Sequence, residues 1–284
     1  MSENSGTKNN NDNNNHNHEG PSKAYLNRGF LKSRNARTLR ILSEYLEPDA
    51  RFEDLDISDT IVFFGSARVL PRDVATHALE AARAHGGDVA SAEQQLTMSR
   101  YYEDCRELAH RLTEWSKGLE KTRRRFVVCT GGGPGIMEAA NRGASEAKGL
   151  NIGLNIALPH EQQGNPYITR ELEFEFNYFF MRKYWFIYLA KALIAFPGGF
   201  GTLDEFFELM TLMQTGKLKK KIPIILYGTS YWEEVINFDA LVKFGAIEAE
   251  DLDLFYRTDS VDEAYAFITR ELEEKFLAKP GGAL

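Results

Sequence analysis

The sequence is poor in nearly every feature that marks an exported, membrane-bound or metal-dependent protein. Its 284 residues hold two cysteines, Cys105 and Cys129, without the paired spacing of a zinc or redox motif. Both read as buried apolar thiols, too few for a disulfide framework. No apolar run approaches the roughly 18 residues that a membrane span needs. The N-terminus shows neither an apolar signal core nor an Arg-rich amphipathic pattern, so a cytoplasmic location is expected. There is no internal repeat. Positive charge is outweighed, 34 Lys and Arg against 41 Asp and Glu, and a net charge of -7 with a pI near 5.5 argues against a nucleic-acid partner. What remains, 43% hydrophobic and 26% charged residues, is the composition of an ordinary soluble globular domain.

Residues 1–22 are mostly Asn, Ser, Gly and His and read as a disordered polar tail, because they bury too little apolar surface to offset ordering entropy. His16 and His18 belong to that tail rather than to a metal site. Residues 23–57 read as an N-terminal helical extension. Its helical pattern runs from Asn27 to Leu46 and is expected to stop at Pro48, and Lys32, Arg34, Arg37 and Arg40 make it basic. Residues 58–284 then alternate short apolar strands with helices. Thr60-Ile61-Val62-Phe63-Phe64, Phe126-Val127-Val128-Cys129, Asn151 to Leu158, Leu172 to Phe176, Ala192-Leu193-Ile194-Ala195 and residues 222–227 are the strands. This alternation predicts an α/β fold: one Rossmann-like, doubly wound parallel sheet with helices on both faces. Ligands in such sheets sit beyond the carboxyl ends of the strands. The loops after Phe64, Thr130 and Phe196 occupy that position.

Two of these loops are rich in glycine. Gly131-Gly132-Gly133-Pro134-Gly135 lies between a strand and a helix, but it is neither G-x-G-x-x-G nor a Walker sequence, since no Lys-Ser/Thr pair follows. Dinucleotide binding and ATP hydrolysis therefore lose ground, and no metal or cofactor is expected. Phe196-Pro197-Gly198-Gly199-Phe200-Gly201-Thr202-Leu203-Asp204-Glu205 follows an apolar strand and leads into Phe206-Phe207-Glu208-Leu209-Met210. Glycines let main-chain amides approach an anion, and a helix N-terminus adds partial positive charge. Asp204 and Glu205 read as lying in the opening turn of that helix, which a plain phosphate cradle would not favour. The combination suggests a phosphorylated ligand that also needs a carboxylate, such as a nucleotide or a sugar phosphate. Arg182 and Lys183, set among Phe179-Phe180-Met181 and Tyr184-Trp185-Phe186, add cationic groups in a crowded apolar setting. The aromatic residues around 174–188 read as core in preference to a base-stacking platform.

The blocks Phe64-Gly65-Ser66-Ala67, Thr130 to Ala140, Met181-Arg182-Lys183 and Pro197 to Glu205 resemble the LONELY GUY (LOG) family, whose Rossmann-like members were long labelled lysine decarboxylases. The resemblance spans about residues 58 to 275. It implies hydrolysis of nucleoside 5′-monophosphates, such as cytokinin riboside monophosphates or AMP, to free base and ribose 5-phosphate. It implies Arg182 and Glu205 as the catalytic pair, with Lys183, Gly198, Gly199, Gly201 and Thr202 binding ribose phosphate and Thr211 a further substrate contact. Gly65, Ser66, Gly132, Gly133, Gly135 and Asp204 complete the expected binding set. It also implies a homodimer or larger homo-oligomer. Aspartate at 204, Phe179-Phe180 before the Arg-Lys pair, the N-terminal extension and the helical stretch 71–100 resemble a longer bacterial subgroup. So does the loop 158–162, whose His160 and Glu161 read as exposed. The competing reading is a non-catalytic nucleotide or molybdenum-cofactor carrier of the same fold. A decarboxylase would need a Schiff-base lysine, for which no lysine has a recognisable setting.

Overall fold

The computed structural model describes residues 23–119, 124–157 and 164–277. The tail 1–22 and the loop with His160 and Glu161 lie outside the described residues. The chain divides between Ser43 and Glu44 into two compact units. In the first, helix α1 (Arg28–Lys32) is capped by the Asn27 side chain, which accepts from the Phe30 amide at 3.0 Å. Helix α2 (Arg37–Asp54) starts in this unit. Arg40, one of the basic residues noted above, spends its guanidinium on the Leu31 and Ser33 carbonyls at 2.6 and 2.7 Å, closing the turn between the helices.

The second unit is built on a seven-stranded, all-parallel sheet. Its strands are β1 (Thr60–Phe64), β2 (Val127–Thr130), β3 (Asn151–Ile156), β4 (Glu173–Phe176), β5 (Ala190–Ala195), β6 (Ile224–Tyr227) and β7 (Tyr256–Thr258), in the order β4-β3-β2-β1-β5-β6-β7. The order reverses between β1 and β5, which pair directly from Ile61↔Ala192 to Phe64↔Ala195. The central strands are mostly apolar, with Lys191 at the start of β5 the charged exception, because helices cover both faces. Every residue of β1, β2, β5 and β6 is buried. The helices are α3 (Arg72–His85), α4 (Val89–Leu119), α5 (Ile136–Glu146), α6 (Phe179–Tyr188), α7 (Phe200–Gln214), α8 (Thr229–Val235), α9 (Phe238–Lys243) and α10 (Val261–Lys275). Among the described residues, no helix is long and apolar enough to cross a membrane. The doubly wound α/β architecture is the one the strand–helix alternation predicts.

Three elements differ from the sequence expectation. β7 is a three-residue edge strand with too little periodicity to be seen. The segment 231–243, whose pattern reads as one continuous helix, breaks at Ile236–Asn237 into α8 and α9, and the Asn237 side chain caps the second by accepting from the Ala240 amide. Pro48 does not end α2, which continues through it to Asp54. A proline inside a helix deprives the carbonyl four residues earlier of its amide partner. That carbonyl is Glu44's, and it accepts instead from the Trp185 indole N–H at 3.0 Å.

Glu44 also supports the start of α6. Its two carboxylate oxygens accept from the Asn177 and Tyr178 amides at 2.9 and 3.1 Å, where α6 has no cap of its own. A carboxylate there also suits the helix dipole. Glu44→Ala is expected to lower unfolding free energy by about 1 kcal/mol, the usual worth of a lost cap. A urea titration beside Glu44→Gln, which keeps one acceptor oxygen, checks it.

At the amino ends of the strands, Asp59 is fully buried among cations. Its carboxylate pairs with Arg125 and lies 3.2 Å from the Lys191 Nζ. Arg125 Nη2 donates to the Phe276 carbonyl at 2.7 Å, fastening the end of α10. Lys220 Nζ donates to the Ile187 and Tyr188 carbonyls, which end α6. Burial and then the charge of Lys191 press the Lys220 ammonium down to about 7, against a raising pull from Asp59.

Candidate active site

At the opposite end of the sheet, the loops after β1, β2 and β5 are bonded together. The Ser66 amide donates to the Pro197 carbonyl at 2.9 Å, and the Ile136 amide donates to the Ser66 carbonyl at 3.1 Å. Close approach is what the glycines permit here. A Cβ on Gly198 would stand 2.2 Å from Thr202 Oγ1 and 3.0 Å from the Gly65 backbone; one on Gly135, at φ +71°, would meet the Ser66 carbonyl. The Tyr231 hydroxyl holds the Gly198 carbonyl from the other side at 2.7 Å. Where β1 and β5 part, these loops surround a cleft of about 540 Å³. That is the size range of small-molecule sites, at the switch point where the fold binds ligands.

The structure starts α7 at Phe200, inside the glycine motif. Asp204 and Glu205 therefore fall in its second turn, not its first. The opening turn holds no acidic residue and no side-chain cap. Its unused amides remain available to an anion. The apparent conflict between a phosphate cradle and two carboxylates is thus resolved by one turn of helix: amides at the tip, carboxylates 4–5 residues farther on.

Of the residues expected from sequence, Gly65, Ser66, Arg182, Gly199, Gly201, Thr202, Asp204 and Glu205 line this cleft. Glu205 is 6% exposed, and its Oε2 lacks a hydrogen-bond partner within the protein. Burial raises its carboxyl to about 7; Lys183 and Arg182 pull it down, while Glu208 and Asp204 push it up. Arg182 extends from α6 beneath the β2 loop. Its Nε donates to the Leu154 carbonyl at 2.7 Å and its Nη2 to the Gly131 carbonyl at 3.4 Å, with the Phe186 ring 5.0 Å from its guanidinium carbon. Burial lowers its pKa, opposed by the charge of Glu205. A Cβ on Gly131 would fall 2.5 Å from the Arg182 Nη2, so the glycine makes room for this arginine.

Lys183 is placed differently. Its Nζ lies 2.8 Å from Asp204 Oδ2, 2.8 Å from Glu208 Oε2 and 3.9 Å from Glu205 Oε2. Burial works against its charge, but the bonds with Asp204 and Glu208 outweigh it and leave the pKa raised. Gly132, Gly133 and Gly135 lie behind the wall, shaping the β2 loop. Thr211 is farther along α7, exposed, beside a shallow groove with Phe200, Leu203, Phe207 and Leu212.

Several residues at the site carry no recognisable motif. Asn165 Nδ2 donates to the Gly132 and Gly133 carbonyls and to Asn141 Oδ1 at 3.2, 3.1 and 2.9 Å. Asn141 Nδ2 donates to Asn151 Oδ1 at 2.8 Å, while the Thr130 hydroxyl donates to Asn141 Oδ1 and accepts from the Gly132 amide. This buried network fixes the β2 loop from below, as a fully satisfied polar cluster does. Arg68, Met137 and Phe179 also line the cleft. Arg68 directly follows the Gly65-Ser66-Ala67 block, and that adjacency was the available signal. The asparagines are scattered through the chain, and only the fold unites them. Among the described residues there is no cluster of His, Cys, Asp and Glu suited to a metal ion.

Comparison with known proteins bears on the same region. Residues 137–268 match the family model described as "Possible lysine decarboxylase". A rice protein (Oryza sativa subsp. japonica) described as "Probable cytokinin riboside 5'-monophosphate phosphoribohydrolase LOG4" is 29% identical over 93 residues, 33% of this chain and 40% of that protein. This chain thus spans about two fifths of the length of the curated relative it matches. Similar solved structures include the structural-genomics target TM1055, 21% identical over 75% of this chain and 99% of its own, with a TM-score of 0.45. A molybdenum cofactor carrier protein from Chlamydomonas reinhardtii is 18% identical over 76% of this chain and 99% of its own, with a TM-score of 0.44. The family match takes in α6, the second glycine motif and α7, so over these cleft elements the chain is similar to the lysine-decarboxylase-like family.

Proposed function

We propose that this protein hydrolyses the N-glycosidic bond of nucleoside 5′-monophosphates, releasing the free base and ribose 5-phosphate. The observation that carries the reading is the layout of the cleft: uncapped helix amides at one point and the buried carboxyl of Glu205 in the next turn of the same helix. Cleavage at C1′ develops positive charge on that carbon and the ring oxygen. A carboxylate beside it stabilises this charge and orients the attacking water, as in glycoside hydrolysis. Glu205 takes that role. Arg182, pinned to two carbonyls, holds the phosphoribosyl group and the carboxylate in a fixed relation. The amides of α7 and the Thr202 hydroxyl anchor the 5′-phosphate, so that binding far from C1′ is used for orientation. A homodimer or larger homo-oligomer, a cytoplasmic location and Asp204 as a further substrate contact are parts of the same proposal.

A decarboxylase is disfavoured by the setting of Lys183. A Schiff-base lysine must be free of its proton to attack, whereas three carboxylates keep this one charged. The test is chromatography of products from AMP and the other 5′-monophosphates, with unphosphorylated nucleosides as controls. Free base from AMP, and little from adenosine, is the expected result. Binding without release of base would favour a carrier.

A further inference from the structure

The substrate's phosphate needs a side chain to neutralise it, and the charges near the cleft narrow the choice. Asp204, Glu205 and Glu208 supply three carboxyls, and Lys183 and Arg182 supply two cations. Lys183 is held between Asp204 and Glu208 at 2.8 Å each, on the flank of α7 and off the cleft wall. Arg182 has its Nε and Nη2 on main-chain carbonyls. With Glu205 ionised this group carries a net charge of -1, and a phosphate dianion entering it would be repelled. Helix amides alone contribute only partial charge.

Arg68 stands on the same cleft wall, at the end of the β1 loop. It is exposed, and among the described residues its guanidinium has no hydrogen bond, ion pair or ring contact. Its own amide donates to Ser66 Oγ at 3.1 Å. That bond uses the Ser66 oxygen as acceptor and leaves its O–H to donate elsewhere. Ser66 is itself fixed by bonds to Pro197 and Ile136, so the turn carrying Arg68 is rooted in the loops of the cleft. A guanidinium offers the forked geometry that a phosphate's oxygens match. We propose that Arg68, with the Ser66 hydroxyl beside it, is the phosphate-recognising side chain of this cleft, and that Lys183 is a positioning residue for the carboxylates of α7. This inference rests on the nucleotide reading and names its phosphate subsite.

The experiment compares wild type, Arg68→Gln, Arg68→Lys and Lys183→Met. AMP hydrolysis is read as separate kcat and KM values, and thermal stabilisation by ribose 5-phosphate and by inorganic phosphate is read independently of turnover. Arg68→Gln is expected to raise KM for AMP by about 10–100-fold, with a smaller change in kcat, and to abolish stabilisation by ribose 5-phosphate. Arg68→Lys should restore part of both. Lys183→Met should keep the ribose 5-phosphate stabilisation and move the pH profile of kcat/KM. A wild-type KM and stabilisation in Arg68→Gln would overturn the assignment. So would loss of that stabilisation in Lys183→Met, or a wild-type protein that no phosphate stabilises. If the wild type is stabilised, Arg68→Gln is not, and AMP yields no adenine, the phosphate subsite stands and the hydrolase reading fails.

Discussion

Glu205→Gln is expected to lower kcat for AMP by about 10³-fold or more while leaving the fold and phosphate binding in place. The amide keeps the shape of the side chain but cannot take the negative charge that C1′ requires as the base departs. Purified variant and wild type, compared for adenine release and for stabilisation by ribose 5-phosphate, separate chemistry from binding. A variant with wild-type turnover would remove Glu205 from the mechanism.

The same carboxyl sets the pH dependence. Titrating at about 7 in the free protein, it is half-neutral at physiological pH. Since the ionised form is the working one, kcat/KM should rise with pH through about 7 and then level off. Lys183→Met removes a charge that lowers this value, so the rise should move to higher pH; a limb left in place would contradict the role given to Lys183. Stability follows the opposite course. In the unfolded chain the carboxyl titrates near 4.5, so the folded state holds the proton more tightly. The stabilisation from that proton is complete below pH 4.5 and is lost as pH climbs through about 7. Glu205→Gln stays neutral throughout. It should therefore melt above wild type at pH 8, by an amount on the order of 2 kcal/mol in stability, with the gap closing near pH 4. Lost turnover together with a gain in alkaline stability would mark Glu205 as a group held for chemistry at a cost to the fold.

Much of this site is legible in the chain because glycine and backbone chemistry act locally. Gly131, Gly135 and Gly198 stand where a Cβ would strike Arg182, Ser66 or Thr202, so the motif and its geometry are one fact. The parallel sheet is likewise announced by apolar runs such as Thr60–Phe64 and Ile224–Tyr227, buried on both faces. What escaped depends on partners far away in sequence. Pro48 reads as a helix stop, and only Trp185, 137 positions later, supplies the bond that lets α2 pass through it. The resemblance groups Lys183 with Arg182 at the ligand. On a helix, however, adjacent residues diverge by about 100°, and this divergence sends Arg182 to the β2 loop and Lys183 to the carboxylates of α7. Asn141, Asn151 and Asn165 are ordinary polar residues until the fold brings them together under Gly132 and Gly133.

Asp59→Asn is expected to destabilise the protein by about 3–5 kcal/mol without altering the cleft, because the two ends of the sheet do different work. At the carboxyl ends, amides and charged groups are left partly unsatisfied for a ligand. At the amino ends, charges are buried with one another. Asp59 is 0% exposed and faces Arg125 and Lys191, with Lys220 near enough to feel its charge. Removing the one anion leaves cations in an apolar interior, and Arg125 loses the partner that directs it to the end of α10. The expected signature is a large drop in the urea midpoint with an unchanged slope, while folded Asp59→Asn at low temperature keeps the wild-type KM for AMP. The double change Asp59→Leu with Lys191→Met should recover part of the loss, since replacing a buried ion pair with apolar groups of similar volume is often neutral, whereas breaking it is not. If Asp59→Asn alone cost less than about 1 kcal/mol, the cluster would be solvated and this division of labour between the sheet's two ends would not hold.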